Sequence, residues 1–391
     1  MATIFLALIY ASFISLGLPD AVLGAAWPVM GKELAVPDGY AGLASMVVAA
    51  GTVVSSLLAD RMLSRFGTGR VTAVSVGMTA AALLGYSCAP SFGWLLVLAL
   101  PLGLGAGAVD TGLNNFVALH YQARHMNWLH CFWGLGAMLG PLVLAGVLEK
   151  PGGWRTGYGI LSGMQWVLVA ILVLTLPLWK RFGDSGPARQ AARRPGAGSV
   201  VRRPGAAAQM MSYFFYCTIE STTALWTATW LVDCRGVGVS TAAAWVSLYY
   251  LGITGGRFLS GCVTRWCSTN TLIRLGEGVC MTGMAALVLP LPVWVCPVAL
   301  VLIGLGYAPV YPGMMHETPR RFGEDCSQAM IGLQMASAYL GSTLMPPLFG
   351  VLAGVVSVGL LPWFLLAGAA LLTLCGERTI RSTRHIEKGG V

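Results

Sequence analysis

Residues 103–112 read GLGAGAVDTG, and residues 304–313 read GLGYAPVYPG. Gly103, Leu104 and Gly105 line up with Gly304, Leu305 and Gly306, Val109 with Val310, and Gly112 with Gly313, all at one offset. Two further pairs repeat: GAMLGPL from Gly136 with GSTLMPP from Gly341, and DRMLSR from Asp60 with GRFLSG from Gly256. Duplicated helical halves of this kind are a transporter signature.

The composition around these stretches is that of a membrane protein. Of 391 residues, 56% are hydrophobic and 10% charged, with a mean hydropathy of +0.72, whereas a soluble domain carries about 25% charged residues. Apolar runs of about 20 residues, long enough to cross a ~30 Å hydrocarbon core as a helix, recur along the chain. Twelve are expected, at 3–30, 40–63, 71–89, 92–119, 126–148, 157–179, 207–231, 240–263, 271–290, 292–317, 327–350 and 354–375. The first lacks a basic leader and a small-residue cleavage site and reads as a retained helix. The longest polar stretch, KRFGDSGPARQAARRPGAGSVVRRPG from Lys180, separates six runs from six and has the composition of a linker. The expected organisation is an all-α membrane protein with twelve transmembrane helices in two pseudo-symmetric six-helix bundles. Its parts are an N-terminal bundle at 1–179, a cytoplasmic linker at 180–206, a C-terminal bundle at 207–376 and a cytoplasmic tail at 377–391.

With both termini in the cytoplasm, only Lys32, Lys150, Arg155 and Arg235 of the 24 Lys and Arg fall on the outer side. That bias follows the positive-inside rule and places the chain in the cell membrane. The net charge of +9 then reflects topology. Membrane lipids are its partners, and nucleic acid is not, because the basic residues are spread over many short loops. The ten cysteines have neither metal-ligand spacing nor an evident disulfide partner. No His-Glu-x-x-His or Gly-x-Ser-x-Gly motif is present, so neither an enzyme nor a metal or other cofactor is expected.

An ionisable group in hydrocarbon costs about 2.5 to 3.5 kcal/mol on insertion scales and normally faces a wet cavity or a partner. Asp20, Asp110 and Glu220 lie well inside their segments, whereas Glu277 and Glu317 fall near segment ends and are expected as solvated or motif-stabilising carboxylates. Asp20 follows Gly17 and Pro19, so a broken helix is expected there. Asp110 lies about 13 Å and Asp20 about 24 Å from the inner ends of their helices at 1.5 Å per residue. Two acids at different depths suit alternating access. Asn114, one turn from Asp110, shares its face, and His130 is placed to approach either residue from the next helix. Trp226 and Tyr311 offer flat aromatic faces, and Gln165, Gln334, Asn114 and Tyr311 offer hydrogen bonds, the mixture that sugar sites use.

The stretch LLADRMLSRFGTGR (Leu57 to Arg70) occupies the loop after the second helix. With it, the chain resembles the major facilitator superfamily across nearly its full length. GLGAGAVDTGLNNFV followed by MNWLHCFWGLGAMLGP resembles the fucose-proton symporter branch and its sugar-transporter-like relatives. The resemblance implies a gating loop containing Asp60, Arg61 and Arg65, and a role for Asp20 in proton coupling. In helix four the family carries a Glu where this chain has Asp110. The function expected is secondary active transport of a small polar solute, a sugar, by proton symport in a monomer. The alternatives are a drug or metabolite-proton antiporter and an uncoupled facilitator. GAMLGPLVLAG resembles the antiporter motif of helix five but lacks its double glycine after the proline.

Overall fold

The computed structural model describes residues 2–121, 123–183, 200–263 and 266–388, which are helical almost throughout. In chain order the helices are α1 (Ala2–Gly17), α2 (Val22–Glu33), α3 (Tyr40–Phe66), α4 (Thr68–Ser87), α5 (Phe92–His120), α6 (Ala123–Ala145), α7 (Gly153–Leu174) and α8 (Leu176–Gly183). After residues 184–199, which lie outside the described residues, come α9 (Ala206–Arg235), α10 (Val239–Val263), α11 (Thr269–Val288), α12 (Val295–Tyr307), α13 (Val310–Phe322), α14 (Glu324–Val355) and α15 (Leu361–Lys388).

Among the described residues nine helical stretches are long and apolar enough to cross a membrane, counting α1 with α2 and α12 with α13 as single spans. The helices α4, α9 and α10 have the length, at 20, 30 and 25 residues, but are more polar. Together these account for the twelve expected spans.

Two spans are broken where proline interrupts them. Between α1 and α2 the chain makes a turn in which Asp20 N–H donates to the Gly17 carbonyl at 3.1 Å and Val22 N–H to the Pro19 carbonyl at 3.2 Å. Pro19 has no N–H to continue the helical ladder. The break between α12 and α13 falls at Ala308 and Pro309.

The repeat seen in the sequence recurs in the packing. A Cβ placed at Gly136 on α6 would lie 2.0 Å from the Ile14 carbonyl oxygen of α1. One at Gly341 on α14 would lie 2.3 Å from the Phe214 carbonyl oxygen of α9. Only a residue without a side chain lets these backbones meet.

By contact the chain divides into two compact units. One comprises Met1–Pro187, Ala224–Leu251 and Pro347–Gly359; the other comprises Ala188–Thr223, Gly252–Pro346 and Leu360–Val391. The division does not fall at 180–206 alone, because stretches of α9, α10 and α14 pack with the first unit. Gly24 of α2 lets the α9 backbone approach, since a Cβ there would meet the Ala224 carbonyl oxygen at 2.3 Å. In the first unit, α8 turns Trp179 inward against Phe5 and Phe116, with ring centroids 4.7 and 5.9 Å away. In the second, the residues just before α9 are packed: Val200 is fully buried with Phe322, Cys326 and Met330, and Arg203 donates to the Phe322 carbonyl at the end of α13. The final helix continues through the stretch expected as a tail, with Thr379 and Thr383 buried.

Candidate functional site

Asp110 and Asn114 sit one turn apart on α5, as their spacing requires. Asn114 Nδ2 donates to the Asp110 carboxylate at 2.8 Å and to its carbonyl oxygen at 2.9 Å. Asp110 is half-buried, and among the described residues no cation pairs with it. Hydroxyls of α3 bind the α5 backbone just before it, Ser55 at the Leu104 carbonyl (2.5 Å) and Ser56 at the Gly107 carbonyl (3.3 Å). This seam fixes the height of the acid on its helix.

The second acid of the first unit lies at the break between α1 and α2. Asp20 is exposed and accepts a hydrogen bond from Trp133 Nε1 of α6 at 2.7 Å. The Trp133 ring meets Tyr250 of α10 edge to face at 6.1 Å, and Tyr250 meets Tyr249 at 5.1 Å. An accessible carboxylate beside a half-buried indole is an arrangement that binds hydrogen-bond donors carried on an apolar face.

In the second unit, Tyr311 belongs to an aromatic cluster on α9, α12 and α13. Its ring is 5.1 Å from Tyr213 and 5.2 Å from Tyr216, Tyr216 stacks on Tyr307 at 4.0 Å, and the Tyr311 hydroxyl donates to Met335 Sδ at 3.2 Å. Glu220 is half-buried one turn from Tyr216, and the charge of Arg257 on α10 acts on it.

Other expected site residues are placed differently. Gln165 is 1% exposed. It accepts from Thr79 Oγ1 at 2.7 Å and donates to the Ser15 carbonyl at 2.9 Å, joining α7 to α4 and α1. Gln334 is fully buried and hydrogen-bonded to Thr318 at 3.1 Å. Trp226 is fully buried, with Phe349 at 5.7 Å. The His130 ring packs edge-on against Phe13 at 6.0 Å, and the hydrogen bonds recorded for Asp110 come from Asn114. The nearby imidazole that meets a hydroxyl is His125, whose Nδ1 is 2.8 Å from Tyr10 Oη. Arg61 and Arg65 are exposed, Arg65 lying over the Phe66 ring at 5.5 Å, while the side chain of Asp60 lies outside the described residues. Glu317, expected as a solvated or motif-stabilising carboxylate near a helix end, is buried and meets Arg320 at 3.5 Å.

Trp133 and Arg257 were not among the residues expected from the sequence, and Tyr250 stood there only as one of an aromatic cluster. Trp133 stood in a quoted stretch, one turn from His130, and Arg257 stood in the repeat of the gating loop. What sequence lacks is the neighbour across the gap that gives each its role.

At one end of the first unit, acids and bases meet at and just beyond the ends of the spans. Lys32 pairs with Asp233 at 3.6 Å. Asp38 between α2 and α3 is held above the usual carboxylate range by partial burial first and by the Asp233 charge second, against the opposing pull of Lys32. Next to Lys32, Glu33 accepts from Trp154 Nε1 at 2.5 Å and pairs with Arg155 of α7.

A family model described as Major Facilitator Superfamily matches residues 9–346. The chain belongs to the Major Facilitator Superfamily. It is therefore a multi-pass membrane transporter and not an enzyme. Among solved structures this superfamily member is similar to a bacterial homolog of the human lysosomal transporter Spinster, crystallised inward-facing and occupied. The TM-score is 0.75 at 14% identity, covering 98% of this chain and 97% of that one. It is also similar to a variant of the nucleoside transporter NupG, at TM-score 0.77 and 12% identity, over 95% and 98% of the two chains. Among curated relatives it is 29% identical to the niacin transporter NiaP of Acinetobacter baylyi over 146 residues, 36% of this chain and 31% of that protein. It is 22% identical to the glucose/mannose transporter GlcP of Bacillus subtilis over 265 residues, 66% and 65% of the two. The matched region covers less than two thirds of the length of each of these curated relatives.

Proposed function

We propose that this transporter moves a small polar solute, a sugar, by alternating access in symport with protons. The observation that carries the proposal is Asp110: a carboxyl inside an apolar helix whose recorded partner is an amide on the same helix. A carboxylate kept for architecture in a membrane normally faces a cation or gathers several donors. One held by a single asparagine can gain or lose a proton without breaking an ion pair, and Asn114 serves either form, as donor to the carboxylate or acceptor from the acid. Asp20, accessible at a helix break and hydrogen-bonded to an indole, is the second acid, placed to receive substrate hydroxyls while Trp133 and Tyr250 supply apolar faces. We keep the fucose-proton symporter branch as part of this reading, on the strength of Asp20 and of the helix-four and helix-five stretches. The glucose/mannose transporter among the relatives is consistent with a sugar.

The cycle follows from these residues. Proton uptake at Asp110 and solute binding at Asp20 together favour the form in which both sites close. Release of each on the far side resets the carrier, and no covalent chemistry is needed. Uptake of a labelled sugar panel into proteoliposomes, with and without an inward proton gradient, tests the reading. Accumulation that collapses when the gradient is dissipated is expected. Equal uptake in both conditions would overturn the coupling, and no uptake of any sugar would overturn the substrate class.

A further inference from the structure

Glu277 lies in the middle of α11, where the sequence led us to expect a solvated helix end. It is 6% exposed, and its Oε1 has no hydrogen-bond partner among the described residues. It lines a cavity of about 10 Å³ shared with Cys280, Tyr307, Leu372 and Thr373. That is about the volume that admits one water and little else.

The groups around this cavity are accounted for. On α11 itself, Arg274 pairs with Glu377 of α15, donating from Nη2 at 2.9 Å, and the opposed charges of this pair both reach Glu277. From α12, the Tyr307 hydroxyl donates to the Tyr216 carbonyl. On α13 the charges gather at the far end, where Arg321 donates to Gln209 at 3.1 Å and to Asn270 at 2.7 Å and Arg320 and His316 flank Glu317. From α15 come Cys375 and Arg378, beyond Thr373, whose hydroxyl acts directly on the Glu277 carboxyl and makes a long contact to Met281 Sδ at 3.9 Å. Of the described residues lining the cavity, Glu277 is the one carboxyl.

A buried carboxyl oxygen left without a partner is costly, and native proteins satisfy such atoms with protein groups or ordered water. We propose that the cavity binds one water at Glu277 Oε1, beside the Thr373 hydroxyl, and that Glu277 exchanges a proton through it. The exchange is balanced: hydronium gives its proton to the carboxylate, leaving a carboxylic acid and a water. This makes a protonation site between α11 and α15, independent of the role proposed for Asp110. It ties the packing of the last helix to pH.

Infrared difference spectra of the full-length protein in lipid nanodiscs, taken between acid and alkaline buffers, isolate the C=O stretch of protonated carboxyls. E277Q is expected to lose one pH-dependent component that D110N retains, and T373V to shift the frequency of that component. An E277Q spectrum identical to wild type overturns the site. So does a component that follows sodium at fixed pH, because the cavity then holds a cation. If E277Q does not assemble, T373V decides: an unshifted carboxyl spectrum overturns the water-linked site.

Discussion

Residues 103–112 and 304–313 are two copies of one stretch, and they have diverged in an instructive way. In the first copy α5 runs unbroken from Phe92 to His120 and carries Asp110. In the second, Pro309 takes the place of Ala108; α12 stops at Tyr307, α13 starts at Val310, and Tyr311 stands where Asp110 does in its partner. Shared glycines such as Gly105 and Gly306 let backbones meet, at Ser75 and at Cys280, whereas Asp110 and Tyr311 differ between the copies. The acids differ in the same sense: Glu220 and Glu317 in the second half have arginines acting on them, whereas Asp110 has Asn114. A repeat keeps its scaffold and specialises its chemistry.

The largest expected effect comes from breaking what the copies share. Gly136→Leu and Gly341→Leu each drive a side chain into a facing carbonyl and should each cost about 3 kcal/mol or more, lowering Tm and the yield of monodisperse protein by similar amounts. A loss confined to one would mean that the two helix pairs are not equivalent. Gln165→Leu comes next, since it strips partners from Thr79 and Ser15, and should destabilise by roughly 1–3 kcal/mol. Gln334→Leu loses one recorded partner and should do less in the same thermal melt. Trp133→Phe keeps an aromatic ring but removes the donor to Asp20. A hydrogen bond to a charged group is worth about 1.5–3 kcal/mol, so substrate affinity should fall by an order of magnitude with folding intact, as calorimetry on solubilised protein would register. Unchanged affinity would take Trp133 out of the site.

The smallest effect belongs to the charged end of the first unit. Because Asp38 in the fold is raised above its unfolded value, its favourable contribution is complete below pH ~4 and is lost as pH rises through the folded value. Asp38→Asn should therefore leave Tm unchanged in acid and raise it slightly at neutral pH. Because burial is the larger cause and the Asp233 charge the smaller, most of the gain should persist when Asp233 is also replaced by Asn, and its complete loss would contradict that order.

The twelve spans, the Pro19 break and the duplication were legible because hydropathy, proline and repeated glycines act locally or along one helix. The Pro309 break was missed although the proline was in plain view, because the aligned copy is continuous and suggested a single helix. Gln165 and Trp226 were expected in a binding site because polar and aromatic residues in a membrane helix suggest function. Their actual neighbours, Thr79, Ser15 and Phe349, come from distant helices that no spacing rule connects. The burial of Glu277 and Glu317 was not legible for a related reason: distance from a segment end measures depth along one helix and says nothing of what packs across it.

The central claim is that Asp110 carries the coupling proton, and Asp110→Asn tests it most directly, since the amide keeps the shape and can still pair with Asn114 but cannot exchange a proton. In proteoliposomes, accumulation driven by a proton gradient and exchange between equal pools are measured on the same preparation. The account predicts that D110N abolishes accumulation while exchange continues at near wild-type rate. A D110N protein that still concentrates substrate, with wild-type pH dependence, would contradict it.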